Sequence, residues 1–330
     1  MISNSKQPPY PHPLTPSPLL RGKGSLAKQK LLANCCLCGH RCGIDRLKGE
    51  LGVCRAGAMV EVASYCVHRG EEPVISGAKG SGTIFFAHCS LRCVFCQNFE
   101  ISQGGEQGVA WSDRDEEGLA GIMLELQGKG VHNINLVSPT HYGPQIIEAV
   151  GLARKMGLKL PIVYNSGGYD SLELLKELAG KIDIYLPDLK YFNNENALKY
   201  SGAKNYVETA RAGIEEMYRQ VGNLNGGEGR GTRGVLVRHL VLPNNLSNSL
   251  EVLDFLASLS KDVWISLMSQ YSPQHRAGEY PELNRKLTPA EYQRVVDHAE
   301  KIGLHNLYVQ ELTSSEVYLP DFKQAAPFEN

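Results

Sequence analysis

From Gln97 to Asn330 the chain contains no cysteine; all nine of its cysteines lie between Cys35 and Cys96. The long C-terminal part therefore has no thiol to offer to disulfides, metals or nucleophilic catalysis. The sequence also lacks a run of eighteen apolar residues, which excludes a membrane-spanning helix. An excess of one charge is missing too. Thirty-four Lys and Arg stand against thirty-five Asp and Glu, for a net charge of −1, and a general nucleic-acid binder would show a basic surplus. The opening stretch MISNSKQPPYPHPLTPSPLL has no basic segment followed by an apolar one, as an export signal would. The expectation is a cytoplasmic protein with reduced thiols. Six of the seventeen prolines fall in the first eighteen residues, so residues 1–30 read as a disordered tail. What remains is an ordinary globular composition, 42% hydrophobic over 330 residues, enough for one large domain with a small appendage.

A disulfide framework fits poorly, because a chain of this length needs no staples and an odd number of cysteines cannot pair completely. Metal or cluster ligation is the leading reading. Cys89, Cys93 and Cys96 form a C-x3-C-x2-C set. Three thiolates on one loop suit a four-iron cluster, leaving one iron open for another ligand. The alternative is a small zinc site with the adjacent His88 as fourth ligand. The front set, Cys35, Cys38, Cys42 and Cys54, is spaced C-x2-C-x3-C-x11-C, which suits zinc or a second cluster. The alternative is four ordinary cysteines. Cys36 is a spare that could replace Cys35, and Cys66 sits in an alternating, strand-like run where a lone buried thiol is the better reading.

Beyond the thiols, strand and helix patterns alternate. SGTIFFAHC, VHNINLVSPT, LPIVYNSGG, KIDIYLPDLKY, GVLVRHLVLP, DVWISLMSQ and NLYVQEL read as strands. Helices are expected from Ser112, as N-cap, to about Gly128, over 144–155, in SLELLKELAG, over much of 196–221, over 247–260, and from the Thr288–Glu291 capping box to about Gly303. This pattern predicts an α/β fold, an incomplete parallel (β/α)6-type TIM-like barrel with a small Cys-rich N-terminal metal-binding segment. The expected partition is a tail over 1–30, the Cys-rich segment over 31–75, the barrel over 76–315 and a tail over 316–330. Polar clusters follow successive strands: Cys89–Cys96, Ser138–His141, Asn165–Asp170, Asp188–Lys190, Arg238–Asn244 and Ser269–His275. Six at the same end of one barrel imply one shared pocket.

The C-x3-C-x2-C motif directly after the first barrel strand, with Phe95 before its last cysteine, resembles the signature of the radical S-adenosylmethionine (SAM) superfamily. The strings CVFCQNFEISQ, INLVSPTHY, DIYLPDLKY and VRHLVLP look like its PflX-type branch, similar to pyruvate formate-lyase activating enzymes. The resemblance runs from about Cys35 to Leu312. It implies a [4Fe-4S] cluster on Cys89, Cys93 and Cys96 whose open iron takes the SAM amino and carboxylate groups. It implies Phe95 beside the adenine, Lys190 and Arg238 at the SAM carboxylate, Asp188 with Lys190 in a D-x-K pair, and Asn165 and Ser166 at the ribose. Lys190 and Arg238 would thereby serve catalysis. For each of these a packing, capping or solvated role is the plain alternative.

The same resemblance implies reductive cleavage of SAM to a 5′-deoxyadenosyl radical, with electrons from a ferredoxin- or flavodoxin-type donor or a reductase. A protein substrate of the glycyl-radical-enzyme kind is implied, with a small molecule as the alternative. A third reading is an iron–sulfur or zinc interaction or electron-carrier protein without SAM chemistry. One departure stands out. The superfamily often carries a GGE motif after the second barrel strand, and here Ser138-Pro139-Thr140 occupies that place. Ser138, Thr140 or backbone carbonyls are left to meet the SAM amino group. Gly104-Gly105-Glu106 and Gly226-Gly227-Glu228 lie elsewhere and read as loops. Gly77–Gly82 precedes its strand, which is wrong for a dinucleotide fingerprint, and the glycines over 222–234 read as a flexible insert. His68, His141, His239 and His275 lie near strand ends, as substrate contacts or as structural histidines.

Overall fold

The computed structural model describes residues 25–103, 111–227, 229–312, 320–322, 324 and 327–328. Residues 1–24 of the expected tail, the Gly104-Gly105-Glu106 triplet, Glu228 and most of 316–330 lie outside the described residues.

Among the described residues, nine strands form one sheet. They are β1 (Val60–His68), β2 (Ser81–Phe86), β3 (Ser112–Arg114), β4 (Ile134–Val137), β5 (Ile162–Ser166), β6 (Ile184–Pro187), β7 (Gly234–Leu240), β8 (Trp264–Met268) and β9 (Asn306–Val309). The order is β3-β1-β2-β4-β5-β6-β7-β8-β9. From β2 to β9 every neighbouring pair is parallel. β1 runs antiparallel to both β2 and β3. Helices Glu116–Gly128, Gly143–Lys155, Leu172–Leu178, Asn194–Ser201 with Tyr206–Val221, Ser249–Leu259 and Pro289–Lys301 fill the crossovers. Parallel strands covered by crossover helices are buried on both faces, and β2 and β6 are buried at every residue. The fold is an α/β, TIM-like partial barrel with a Cys-rich N-terminal region.

Several local expectations change. Ser112 does not cap a helix, because its backbone pairs with Val62 in the β1–β3 ladder. Asp115 caps instead, its side chain accepting from Gly118 N at 2.8 Å. The helical stretch before Val221 is two helices, ended and restarted around left-handed Gly202. A helix over Leu26–Ala33, capped by Ser25, starts inside the stretch expected to be a tail. β1 joins the barrel sheet, so the sheet crosses the expected boundary at residue 75.

The connection from β1 to β2 closes the barrel floor. A short helix, Pro73–Ser76, places Val74 and Ile75 against the interior residues Val163, Ile184, Leu186 and Leu236. Asn133, just before β4, donates to Ile75 O at 2.8 Å. The glycines over 222–234 also pack here: Gly229 N donates to Pro73 O at 2.7 Å, and Asn225 Oδ1 accepts from Thr232 and Arg233 backbone N–H groups. That insert is pinned under the floor, not a free linker. The opposite mouth, at the C-terminal strand ends, carries the Cys89–Cys96 loop.

Candidate active site

The loop after β2 turns at His88, whose φ is +69°. The His88 ring Nε2 lies 2.8 Å from Glu61 Oε2 and packs edgewise on Trp111. It faces Glu61, so the alternative of His88 as a fourth zinc ligand finds no support. Each of the three thiols meets a hydroxyl. Ser201 Oγ donates to Cys93 Sγ at 3.0 Å. Ser102 Oγ lies 3.2 Å from Cys96 Sγ, and the Ser138 side chain bonds Cys89. Ser138 holds a left-handed backbone, φ +57°, which turns the chain over the mouth.

Burial raises the Cys89 thiol to about 11 and the Cys96 thiol to about 12; the Cys93 thiol is raised for the same reason. Cys93 acts on the ionisation of Cys89, and both act on that of Cys96. No group of three or more His, Cys, Asp or Glu side chains among the described residues is already set in metal-holding geometry.

The thiols line one end of a cavity of about 430 Å³. Phe95, Ser138, Asn165, Ser166, Asp188, Lys190 and Arg238 line the same cavity, so all but one of the residues expected at the cofactor are brought together. Phe95 stands edge-on to Tyr271, centroids 5.7 Å apart. Lys190 Nζ reaches Asp188 Oδ2 at 2.6 Å. Burial disfavours the Lys190 ammonium, but Asp188 and then Cys93 outweigh it and its pKa is raised. Ser166 Oγ donates to Asp170 Oδ2 at 2.7 Å and accepts from Gly168 N, a loop-capping arrangement.

Thr140 is the exception. It is 2% exposed, does not line the cavity, and its side chain bonds Asp170 and Tyr164 instead. Its strand-end position is right, but its hydroxyl faces a buried polar network.

Two lining residues were not singled out from the sequence: Glu71 and Glu72, before the floor helix. Arg238 Nε donates to Glu72 Oε1 at 2.7 Å and Nη2 to Glu72 Oε2 at 2.6 Å; Nη2 also meets Glu71. Asn135 Nδ2 donates to Glu71 Oε1 at 2.8 Å. Burial opposes the Glu72 charge, yet Arg238 holds that carboxyl below its usual range. The guanidinium fork expected to face a cofactor carboxylate is thus occupied by two carboxylates of the chain itself. The sequence signal was the string HRGEEPVI, where paired charges break an apolar pattern.

Of the histidines, His68 lines the cavity. His141 and His239 are buried and bond backbone carbonyls of Ala87 and Leu189. His275 stacks on Phe99 at 4.9 Å. No disulfide joins any of the nine cysteines. Cys35, Cys38 and Cys54 are buried and Cys42 half-buried. Burial foremost raises the Cys38 thiol, and the nearby Cys54, Cys42 and Cys35 add to the rise.

The radical SAM superfamily model matches residues 83–256. An uncharacterized protein of Methanocaldococcus jannaschii is 32% identical over 299 residues, covering 88% of this chain and 81% of the relative. The chain belongs to the radical SAM superfamily. Among solved structures it is similar to a domain of pyruvate-formate lyase-activating enzyme from Bacteroides vulgatus, at TM-score 0.40 and 13% identity over 54% of this chain and 99% of that one. It is also similar to SuiB of Streptococcus suis bound to S-adenosylmethionine, at TM-score 0.46 and 13% identity over 69% of this chain and 50% of that one.

Membership of the radical SAM superfamily implies a [4Fe-4S] cluster and SAM. The donor set fits the cluster. Three thiols share one cavity mouth, each backed by a hydroxyl, and burial keeps them protonated unless a cationic centre draws the protons off. A lysine beside Cys93 adds positive charge at the same place.

Proposed function

We propose that this radical SAM enzyme reductively cleaves SAM at a [4Fe-4S] cluster held by Cys89, Cys93 and Cys96, and acts on a protein in the manner of glycyl-radical-enzyme activases. The observation that carries the reading is the shared cavity, with the three thiols and the Asp188–Lys190 pair on its wall. Cluster and SAM together supply a one-electron cleavage of the sulfonium, yielding the 5′-deoxyadenosyl radical that takes a hydrogen atom from substrate. The chain supplies position and charge. Lys190 offers a point charge to the SAM carboxylate, and Asp188 fixes it. Phe95 offers a face for the adenine. Asn165 is the nearer candidate for the ribose, since the Ser166 hydroxyl is engaged by Asp170. Ser138 fits the amino end, while Thr140 is turned away from it. Arg238 orders the floor through Glu71 and Glu72. The electron comes from a ferredoxin- or flavodoxin-type donor. The front thiols hold zinc or a second cluster, and the cytoplasm suits all of these groups.

Anaerobically reconstituted protein, given dithionite and SAM, is expected to release 5′-deoxyadenosine and methionine, and the Cys93→Ala variant none. Wild-type protein that releases neither overturns the proposal.

The charged floor favours one second reading, a small polar substrate seated over Glu71, Glu72 and Arg238. Deuterated candidates separate the two. Label passed to 5′-deoxyadenosine from a protein supports the first reading, and label passed from a small molecule supports the second.

A further inference from the structure

The Cys35–Cys54 segment is docked on the two loops that build the cavity. Cys38 forms an antiparallel bridge with Asp170; Gly39 N donates to Tyr169 O at 3.1 Å and Ser171 N to Leu37 O at 3.0 Å. Tyr169 is the pivot. Its ring stands edge-on to His40 at 5.1 Å and stacks on Tyr206 at 5.9 Å. A side chain at position 39 would overlap that ring, so glycine permits the docking.

Tyr206 is the second pivot. Its hydroxyl accepts from Lys190 N at 2.9 Å and faces Gly167 O at 3.0 Å and Asp188 O at 3.2 Å. One hydroxyl thereby ties the loop after β5 to the loop after β6. On its other side the segment reaches the cluster loop. His40 Nε2 lies 2.8 Å from Ser90 O, and Arg92 Nη2 donates to Val53 O at 2.7 Å.

Apart from its thiols, the segment gives the core only Leu37, with Ile44 packed against it. Leu47, Leu51 and Val53 are 49%, 59% and 42% exposed. A short, loop-rich stretch of this kind needs a staple, and a metal on four thiolates is one that folds such stretches outright. The site is tight: a Cβ on Gly52 would lie 2.9 Å from Cys42 Sγ. Four thiolates complete a closed structural zinc site without any further ligand.

We propose that Cys35, Cys38, Cys42 and Cys54 bind one zinc ion that braces the SAM cavity through Tyr169 and Tyr206, making these tyrosines positioning residues for Gly167 and Lys190. The proposal rests on the reading of the cavity as a SAM site.

The test uses full-length, anaerobically reconstituted protein, with zinc and iron measured by mass spectrometry and SAM affinity by equilibrium dialysis. Wild type is expected to carry about one zinc beside about four irons. Cys38→Ser is expected to lose zinc, keep iron and bind SAM at least about tenfold more weakly. Tyr206→Phe is expected to keep both metals and stay folded with a lowered unfolding midpoint, and to bind SAM about tenfold more weakly. Wild type with about eight irons and no zinc overturns the proposal. So does Tyr206→Phe with wild-type affinity, which decides the matter even where Cys38→Ser fails to fold. Zinc-loaded wild type that binds no SAM overturns the reading of the cavity, and this inference with it.

Discussion

Ser201, Ser102 and Ser138 each address a different cluster-loop thiol. Hydrogen bonds to ligating sulfur stabilise the extra electron of a reduced cluster, so they raise its potential. Ser201→Ala is expected to shift the cluster potential negative in an electron paramagnetic resonance titration, while iron content stays at the wild-type level. An unchanged potential counts against the tuning role. Arg238 makes a second residue-scale case. Among the described residues it is the one cation bonded to Glu71 and Glu72. Removing one partner of a buried ion pair leaves charge uncompensated, at a cost of about 3–5 kcal/mol. Arg238→Met is therefore expected to lower unfolding stability by about that amount in urea. A loss below about 1 kcal/mol would show that the floor does not depend on this lock.

At the scale of the element, β7 carries Arg238 into the cavity and His239 away from it. His239 is fully buried between Leu189 O and Ser249 Oγ. Burial lowers its pKa to about 4, partly offset by the Leu189 carbonyl. Between pH about 6.5 and 4 the unfolded chain therefore binds a proton that the folded chain refuses. The stability from this group is complete above about pH 6.5 and declines as pH falls toward 4. Urea midpoints from pH 7 to pH 4.5 are expected to fall for wild type and less steeply for His239→Gln. Equal slopes would remove His239 from the acid limb.

The strands themselves were legible because parallel strands buried on both faces leave apolar runs such as IFFA and IYLP. The Cys89–Cys96 loop and the Asp188–Lys190 pair were legible because their spacing is local. Glu71, Glu72 and Tyr206 were not. They reach the site only through the floor connection and the Tyr169 stack, which no local spacing encodes. Thr140 was misplaced because strand-end position fixes a residue's height in the barrel but not which way its side chain turns. Ser112 was misread as a cap because the ladder to β1 competes for its backbone.

Across the whole molecule, the part before the matched family region supplies more than its front thiols. Residues ahead of position 83 give the brace on the cavity loops, the antiparallel edge strand β1 and the floor with Glu71 and Glu72. The nine cysteines divide accordingly, three at the mouth and four in the brace, with Cys66 buried on β1 and Cys36 half-exposed beside them. Thiols at the mouth and charge at the floor enclose one cavity, and SAM bound to the cluster inside it is the central claim. Anaerobic electron paramagnetic resonance of the reduced protein, recorded with and without SAM, tests it most directly. A reduced [4Fe-4S] signal whose shape changes on adding SAM is the expected result; a signal that SAM leaves untouched would contradict it.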